Sequence, residues 1–355
     1  MSAAGQKDSG SMKTFVSTEP AEIFRVMEAS PCYPGLKAAG LGSFPMTEEM
    51  LFLLKKANPL PQEYHFIEEG KRFAFFTVYE NRMDLLTFGK ASWYMRIKTI
   101  AYPCSLSCGG YLTNDLPMML RYIKSLKGGK LILNTTSCEK VRGMGCGETL
   151  PTCRLTIRPE HVSAEAYLDS LRSTYRRRMK LALKWCGDVA VSEYGNSSGT
   201  GDAALPDVYP LYCQTYEKSE YKLERLEQSF FEETDGVRLV FFRKEKPVGF
   251  VLLKRREEEL IFLFCGMDYT GENHNADLYY TMLYHIVKYG IEHRCKTIDF
   301  GQTSENTKLK FGAELERRYF YAHHSNPLLN LIAIVGKPVL EYHYRFPDYR
   351  VFKDV

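Results

Sequence analysis

No apolar run in the chain reaches the roughly 18 residues that a membrane-spanning helix needs. The longest, Pro327 to Leu340 (PLLNLIAIVGKPVL), is interrupted by Asn330 and Gly336 and reads as a buried helix or a surface-seeking segment. Met1 to Lys13 is polar and rich in Gly and Ser, and does not read as a secretory leader. No Gly-x-Gly-x-x-Gly follows a strand signal, which argues against a doubly wound nucleotide-binding fold. Tryptophan is scarce, with 2 residues against 24 Tyr and 21 Phe, so the aromatic core is built from the latter. Neither sign of charge prevails: 47 basic and 43 acidic residues leave a net +4, too slight to establish a nucleic-acid partner.

The ten cysteines, at 32, 104, 108, 138, 146, 153, 186, 213, 265 and 295, are scattered. Cys104-x3-Cys108 and Cys138-x7-Cys146-x6-Cys153 lack the short paired spacing of a zinc site, and no His lies near them, so no metal is expected. Reduced, mostly buried thiols in a cytoplasmic protein are the expectation. With 355 residues, 45% hydrophobic and 25% charged, the chain has the composition of a folded protein with room for two domains.

Residues 1–17 read as a flexible leader. Helices are expected at Glu19–Ser30 and Thr47–Lys56, followed by strand signals at Tyr64–Ile67, Phe73–Tyr79, Met83–Phe88 and Ile97–Tyr102. Leu116–Leu126 reads as a helix and Lys130–Asn134 as a short buried strand. The second half repeats this order. Helix Ala164–Cys186 precedes strand Val189–Glu193 and a Gly/Ser-rich loop at 195–201, then helices Leu205–Ser219 and Leu226–Glu233. Strands Val237–Phe242, Pro247–Lys254 and Glu259–Gly266 follow, separated by charged turns. Helix Ala276–His293, strand Thr297–Phe300, a short helix at Asn306–Phe311 and strand Arg318–His323 close the unit. Each half is thus an antiparallel meander, a helix and a further strand, the order of an N-acyltransferase fold.

Four stretches carry a family likeness: LRSTYRRRMKLALK (171–184), the strand pair KPVGFVLL (246–253) with IFLFCGMD (261–268), ADLYYTMLYHIVKYGIEHRCKTIDFG (276–301) and TKLKFGAE (307–314). Together they resemble the GNAT-superfamily branch that holds the peptidoglycan-bridge aminoacyltransferases (the Fem family) and the BioF2-like acyltransferases. The likeness covers about residues 160–330, with Thr307 standing where the family has Phe. It implies an α+β fold of two tandem GNAT-like domains, each a mixed, mostly antiparallel sheet flanked by helices. The expected domains are a degenerate one at 18–155, a second at 156–326, and a tail at 327–355 packing on them.

The resemblance implies an N-acyltransferase that moves an acyl group onto an amine of a cell-envelope precursor or small molecule. Acyl-CoA is the leading donor, with aminoacyl-tRNA as alternative, and no tightly bound cofactor is expected. A non-catalytic binding module with a decayed donor site is the third reading. It draws on the Tyr269–Asp277 stretch, which lacks the Gly-rich phosphate loop of acetyl-CoA enzymes and places Glu272 and Asp277 where phosphates would sit.

Lys308 matches the family lysine that stabilises the reacting carbonyl or a donor phosphate; otherwise it is a solvated helix lysine. Asp299, with Gln302 and Thr303 after it, would orient an amine or amide, or else cap and turn the chain. Asp268, closing a strand where the sheet should open, would act as a base or hold an amine, against the plainer reading of a loop aspartate. Cys265 reads as a buried core thiol. Tyr279 would line the donor cleft or pack in the core. On the basic helix, Arg172, Arg176, Lys180 and Lys184 recur every four residues beside Tyr175 and Arg177, with no acid between 171 and 187. Such a ridge suits tRNA, CoA phosphates or a peripheral membrane contact, and is not read as a DNA site.

Overall fold

The computed structural model describes residues 12–84, 92–104, 106–195, 205–220, 222, 224–270 and 275–353. It is an α+β protein of two compact units that are discontinuous in sequence. Unit 1 runs to Thr149 and takes back Arg318–Tyr342; unit 2 holds Leu150–Arg317 and the chain from His343. Against the contiguous domains expected at 18–155 and 156–326, unit 1 takes its outer strand from Arg318–His324, beyond its own stretch of chain.

In unit 1, strands β1 (Lys13–Ser17), β2 (Gln62–Glu69), β3 (Arg72–Asp84) and β4 (Tyr94–Ile100) form an antiparallel meander. β5 (Tyr111–Thr113) also pairs with β3. Helix α4 (Leu116–Ser125) then leads to β6 (Gly129–Thr135), which lies parallel to β4 and is flanked in turn by β13 (Glu314–His324). Phe73 to Tyr79 are all buried, so β3 is covered on both faces. Helices α1 (Pro20–Glu28), α2 (Tyr33–Ala38) and α3 (Glu48–Ala57) also belong to this unit, and Ile67, Phe76, Met118, Ile123, Ile132 and Tyr321 share one core.

The expected leader is corrected here: Lys13–Ser17 is a strand, because Phe15 stacks on Phe66 at 6.0 Å and the segment pairs with β2 throughout. Residues 1–11 lie outside the described chain. A second correction concerns the cysteines. Cys138 and Cys146 form a disulfide with their Cα atoms 6.1 Å apart. The loop that brings them together is gathered by Tyr321, whose hydroxyl donates to the Ser137 carbonyl and accepts from the Glu139 N–H. Among the described residues, no group of three or more His, Cys, Asp or Glu could hold a metal ion.

In unit 2, helices α5 (Ala164–Ser170) and α6 (Ser173–Trp185) precede β8 (Val189–Tyr194). After α7 (Tyr209–Lys218) and α8 (Gln228–Glu233), strands β9 (Val237–Arg243), β10 (Lys246–Arg256) and β11 (Glu259–Met267) make the meander. Helix α9 (Asn275–Glu292) returns the chain to β12 (Thr297–Asp299), parallel to β11 and flanked by the Arg154–Thr156 end of β7 (Gly145–Thr156). The sheet order β8-β9-β10-β11-β12 repeats β1-β2-β3-β4-β6 of unit 1.

Three features of this unit bear on the site. The single helix expected over 164–186 is broken at Leu171 and Arg172, which are extended. The break arises because the tail adds there as a strand would: Leu171 bridges to Phe352, and Arg172 N–H donates to the Val351 carbonyl. Phe352 in turn seats on Gly312, where a Cβ would come within 2.2 Å of its ring. The loop after β8 lies largely outside the described residues.

Candidate active site

The site forms where two parallel strands separate. β11 pairs with β12 only over Glu259–Ile261, then runs on to Met267, while the other chain turns away after Asp299. The turn is made by Gly301, Thr303 and Ser304, with φ of 71°, 63° and 51°. Glycine tolerates that region; the other two residues are held there at a cost of order 1–3 kcal/mol each, so something must over-determine the conformation.

The restraints are visible. Asp299 accepts hydrogen bonds from the Gly301 N–H at 2.8 Å and the Thr152 hydroxyl at 2.7 Å. Lys308 Nζ, on α10 (Glu305–Leu309), donates to the Gln302 carbonyl at 2.7 Å and the Gly301 carbonyl at 3.3 Å. Gln302 Nε2 donates to the Leu150 carbonyl at 2.6 Å, and the Cys153 N–H to the Gly301 carbonyl at 3.1 Å. Three of the residues singled out in the sequence, Asp299, Gln302 and Lys308, thus converge on one turn, and Thr303 is part of it.

Lys308 is only 2% exposed. Burial lowers its pKa from the ordinary lysine value, and the nearby Cys153, Glu305, Cys265 and Asp299 pull it back up. Its ammonium stands 6.0 Å from the centre of the Phe262 ring, at the point where β11 leaves β12. Glu305 was not among the sequence candidates. It is 5% exposed, and its Oε1 is buried without a hydrogen-bond partner. The signal was present, an acid three residues before Lys308 on one short helix, but the family-like element at 307–314 begins two residues too late to include it.

The two thiols of this pocket are not nucleophiles at neutral pH. Burial pushes Cys153 up to about 12 and Cys265 up to about 11, with Lys308 opposing both. Tyr279 is likewise driven well above the ordinary tyrosine value by burial, against a hydrogen bond with Ser304. A neutral phenol beside the turn can donate a hydrogen bond but cannot serve as a base.

Asp268 has a different occupation. Burial pushes its pKa up, but hydrogen bonds from Lys246 and Thr270 outweigh this and hold it at about 2. Lys246 Nζ lies 2.8 Å away, the Thr270 hydroxyl 2.6 Å, and the Asp268 N–H donates to the Val248 carbonyl. So acidic a group is a weak base; it clasps the end of β11 to the start of β10.

The basic helix lies apart from the turn and reaches it through the tail. Tyr175 packs edge-on against Tyr349 at 6.4 Å, and the Tyr349 hydroxyl donates to Asn306 Oδ1 on α10. Arg176 sits 3.7 Å from Asp169, and Arg177 is exposed. Arg178 pairs with Asp277 at 2.6 Å and stacks over Tyr280 at 4.1 Å. Asp277, read in sequence as facing phosphates at the start of α9, therefore has its charge balanced by α6. Gly271 to His274, with Glu272, read in sequence beside Asp277 at the place of the phosphates, lie outside the described residues.

No protein-family model and no curated protein matches the chain. Among solved structures it is similar to a tandem GNAT protein from the clavulanic acid biosynthesis pathway, at 9% identity and a TM-score of 0.47 over 89% of this chain and 99% of that one. It is also similar to FemX, at 11% identity and 0.44 over 90% and 100% of the two chains. A third is the L-PGS of Bacillus licheniformis, at 10% identity and 0.45 over 76% and 89%.

Proposed function

We propose that unit 2 is an acyltransferase that moves an acyl group from an activated ester or thioester onto a primary amine. The observation that carries this reading is the opening between β11 and β12 with a buried Lys308 and a buried, unpartnered Glu305 carboxyl oxygen beside it. Beyond Ile261, β11 has no strand neighbour on that side among the described residues, which suits an extended donor arm along Phe262–Gly266, while the Met267 N–H is taken by the Thr215 hydroxyl.

In the reaction the amine nitrogen attacks the acyl carbonyl carbon and an amide bond forms. The carbon–sulfur or carbon–oxygen bond to the donor breaks, and the amine proton ends on the leaving group. Glu305 is placed to take that proton. Lys308 supplies positive charge near a developing oxyanion and fixes the Gly301–Ser304 turn, with Asp299 as its counterpart on the other side of the turn. The tyrosine phenol of Tyr279 is a further donor. No covalent enzyme intermediate is required, in keeping with two thiols held protonated.

Acyl-CoA is the first donor proposed. Aminoacyl-tRNA is the second, favoured by the exposed Arg177, Lys180 and Lys184 on α6. The acceptor proposed is an amine of a cell-envelope precursor or small molecule. Calorimetric titration with acetyl-CoA, longer acyl-CoAs and charged tRNA at low salt tests the reading. Saturable acyl-CoA binding is expected, abolished by an excess of the unacylated thiol. Binding to charged tRNA alone, weakening steeply with salt, would move the assignment to the second donor. Silence from every donor would leave a binding module and overturn the proposal.

A further inference from the structure

Helix α11 (Pro327–Val335) is built almost wholly of apolar residues, yet none of them is buried. Leu328 is 67% exposed, Leu331 57%, Ile332 45% and Val335 70%, and Val339 continues the row on α12 (Lys337–Leu340) at 51%. Spaced three and four apart, these side chains form one stripe. In an ordinary amphipathic helix that stripe would face the core; here it faces outward.

The helix is nevertheless fastened along its length. Asn326 caps it, its Oδ1 accepting from the Leu328 and Leu329 N–H groups. Asn330 Nδ2 donates to the Gly143 carbonyl at 3.0 Å, and its Oδ1 accepts from the His324 N–H. Ala333 lies over Gly145, where a Cβ would stand 3.3 Å from the Ala333 carbonyl oxygen. Tyr342 N–H closes the far end on the Glu148 carbonyl. The outward stripe is therefore presented by a fixed element.

The chain beneath this helix is cationic. Between Arg121 and Glu148 there are six basic residues and two acidic ones; Lys130 is buried, and Arg121, Lys127, Lys140 and Arg142 are exposed. Gly128, next to the exposed Lys127, exchanges hydrogen bonds with Ser325 at the head of the helix. Lys124 Nζ donates to the carbonyl of the exposed Arg142, whose neighbour Gly143 receives Asn330. An apolar stripe on a helix fastened beside the exposed cations Lys127 and Arg142 fits an anionic lipid surface, the stripe entering the headgroup boundary and the cations meeting the phosphates. A second copy of the same face would bring like charges together. With nine residues α11 is about 14 Å long and cannot cross a bilayer, and no helix among the described residues is long and apolar enough to do so.

We infer that α11 and α12 dock unit 1 onto anionic membranes, lying in the interface. Sedimentation of the full chain with vesicles tests this, using phosphatidylcholine alone and phosphatidylcholine mixed with phosphatidylglycerol. Co-sedimentation with the mixed vesicles, weakened by salt, is expected. The double change Leu331→Asp with Val335→Asp, at exposed positions and checked for fold by circular dichroism, should weaken binding by at least roughly tenfold. The pair Lys127→Glu with Arg142→Glu should lower binding to the mixed vesicles and leave the weak phosphatidylcholine binding unchanged. Wild-type protein that stays in the supernatant, or an aspartate variant that binds like wild type, overturns the inference. So does a dimer in light scattering that the aspartate variant converts to monomer without any vesicle binding, which would assign the stripe to a second copy.

Discussion

The two units pair their parallel strands in the same way and surround the end of that pairing with different chemistry. In unit 1, β4 and β6 pair in parallel over three residues, ending at Ile100 and Ile132; in unit 2, β11 and β12 do so ending at Ile261 and Asp299. The third position is thus a fully buried isoleucine in one and a buried carboxylate in the other. Each unit also buries a lysine on backbone carbonyls. Lys130 Nζ donates to the Leu126 carbonyl and, at 3.5 Å, to that of Lys124, both at the end of α4, where a cation complements the helix dipole. Burial first, and then Lys98, lowers Lys130 to about 8. Lys308 is surrounded instead by acids and thiols. The parallel pairing repeats, while the acids and thiols around Lys308 have no counterpart among the groups acting on Lys130.

Replacing the two lysines is the sharpest way to break this comparison. Lys308→Met is expected to lower acyl transfer by roughly a hundredfold or more, since it removes both a local cation and the clamp on the Gly301–Ser304 turn. It should also destabilise the fold by about 3 kcal/mol in urea unfolding, because Asp299 and Glu305 lose a buried counter-charge. Lys130→Met removes a cation with no acid among the causes acting on its pKa, and should leave turnover within about twofold, with a stability change below about 1 kcal/mol. Equal losses of activity in both variants would show that the units do not differ in the way argued.

Asp299 gives the next effect in size. Asp299→Asn keeps the shape and one acceptor oxygen but loses the charge beside Lys308; a roughly tenfold fall in turnover and about 1–2 kcal/mol of stability are expected. Asp299→Ile, which copies Ile132 of unit 1, should cost more on both counts, since the Thr152 hydroxyl and Gly301 N–H would be left buried without an acceptor. Steady-state rates and urea midpoints for the pair decide it. An isoleucine variant as active as wild type would remove Asp299 from the site.

The legible part of the molecule was what periodicity and turn chemistry can encode. The three strands β9 to β11 fall where alternating apolar runs are cut by Arg243–Lys246 and Arg255–Glu258, and Lys308 was found through its element. What escaped notice depends on partners distant in sequence. Leu171 and Arg172 leave the helix because residues 351 and 352 pair with them, and no local signal announces a partner 180 residues away. The left-handed Thr303 and Ser304 run against their own preference, and the restraints on their turn come from Lys308, Asp299, Leu150 and Cys153. Lys13–Ser17 reads in sequence as part of a flexible leader, and becomes a strand because β2 pairs with it and Phe66 supplies a surface for Phe15. Cys138 and Cys146 were judged by spacing for metal, and spacing does not report how a loop is gathered.

A smaller effect tests the electrostatics of unit 1. His323 lies directly opposite Lys130 on paired strands. Burial first, and then the charges of Lys130, Lys124 and His324, lower its pKa to about 4 from 6.5. His285 in unit 2 is also lowered to about 4, by burial and then Lys288. Neutral in the fold, both take up protons in the unfolded chain near pH 6.5, so the unfolded state binds more protons between pH 6.5 and 4 and stability falls as pH drops through that window. Lys130→Met removes one repelling charge and leaves the burial, so His323 should titrate higher by less than about one unit and the acid-sensitive window should narrow slightly. NMR titration of the histidine ring protons reads this directly, with His285 as the internal control. Movement of His285 by the same amount, or none of His323, would mean that Lys130 does not act on its strand neighbour and that burial alone sets the acid sensitivity of unit 1.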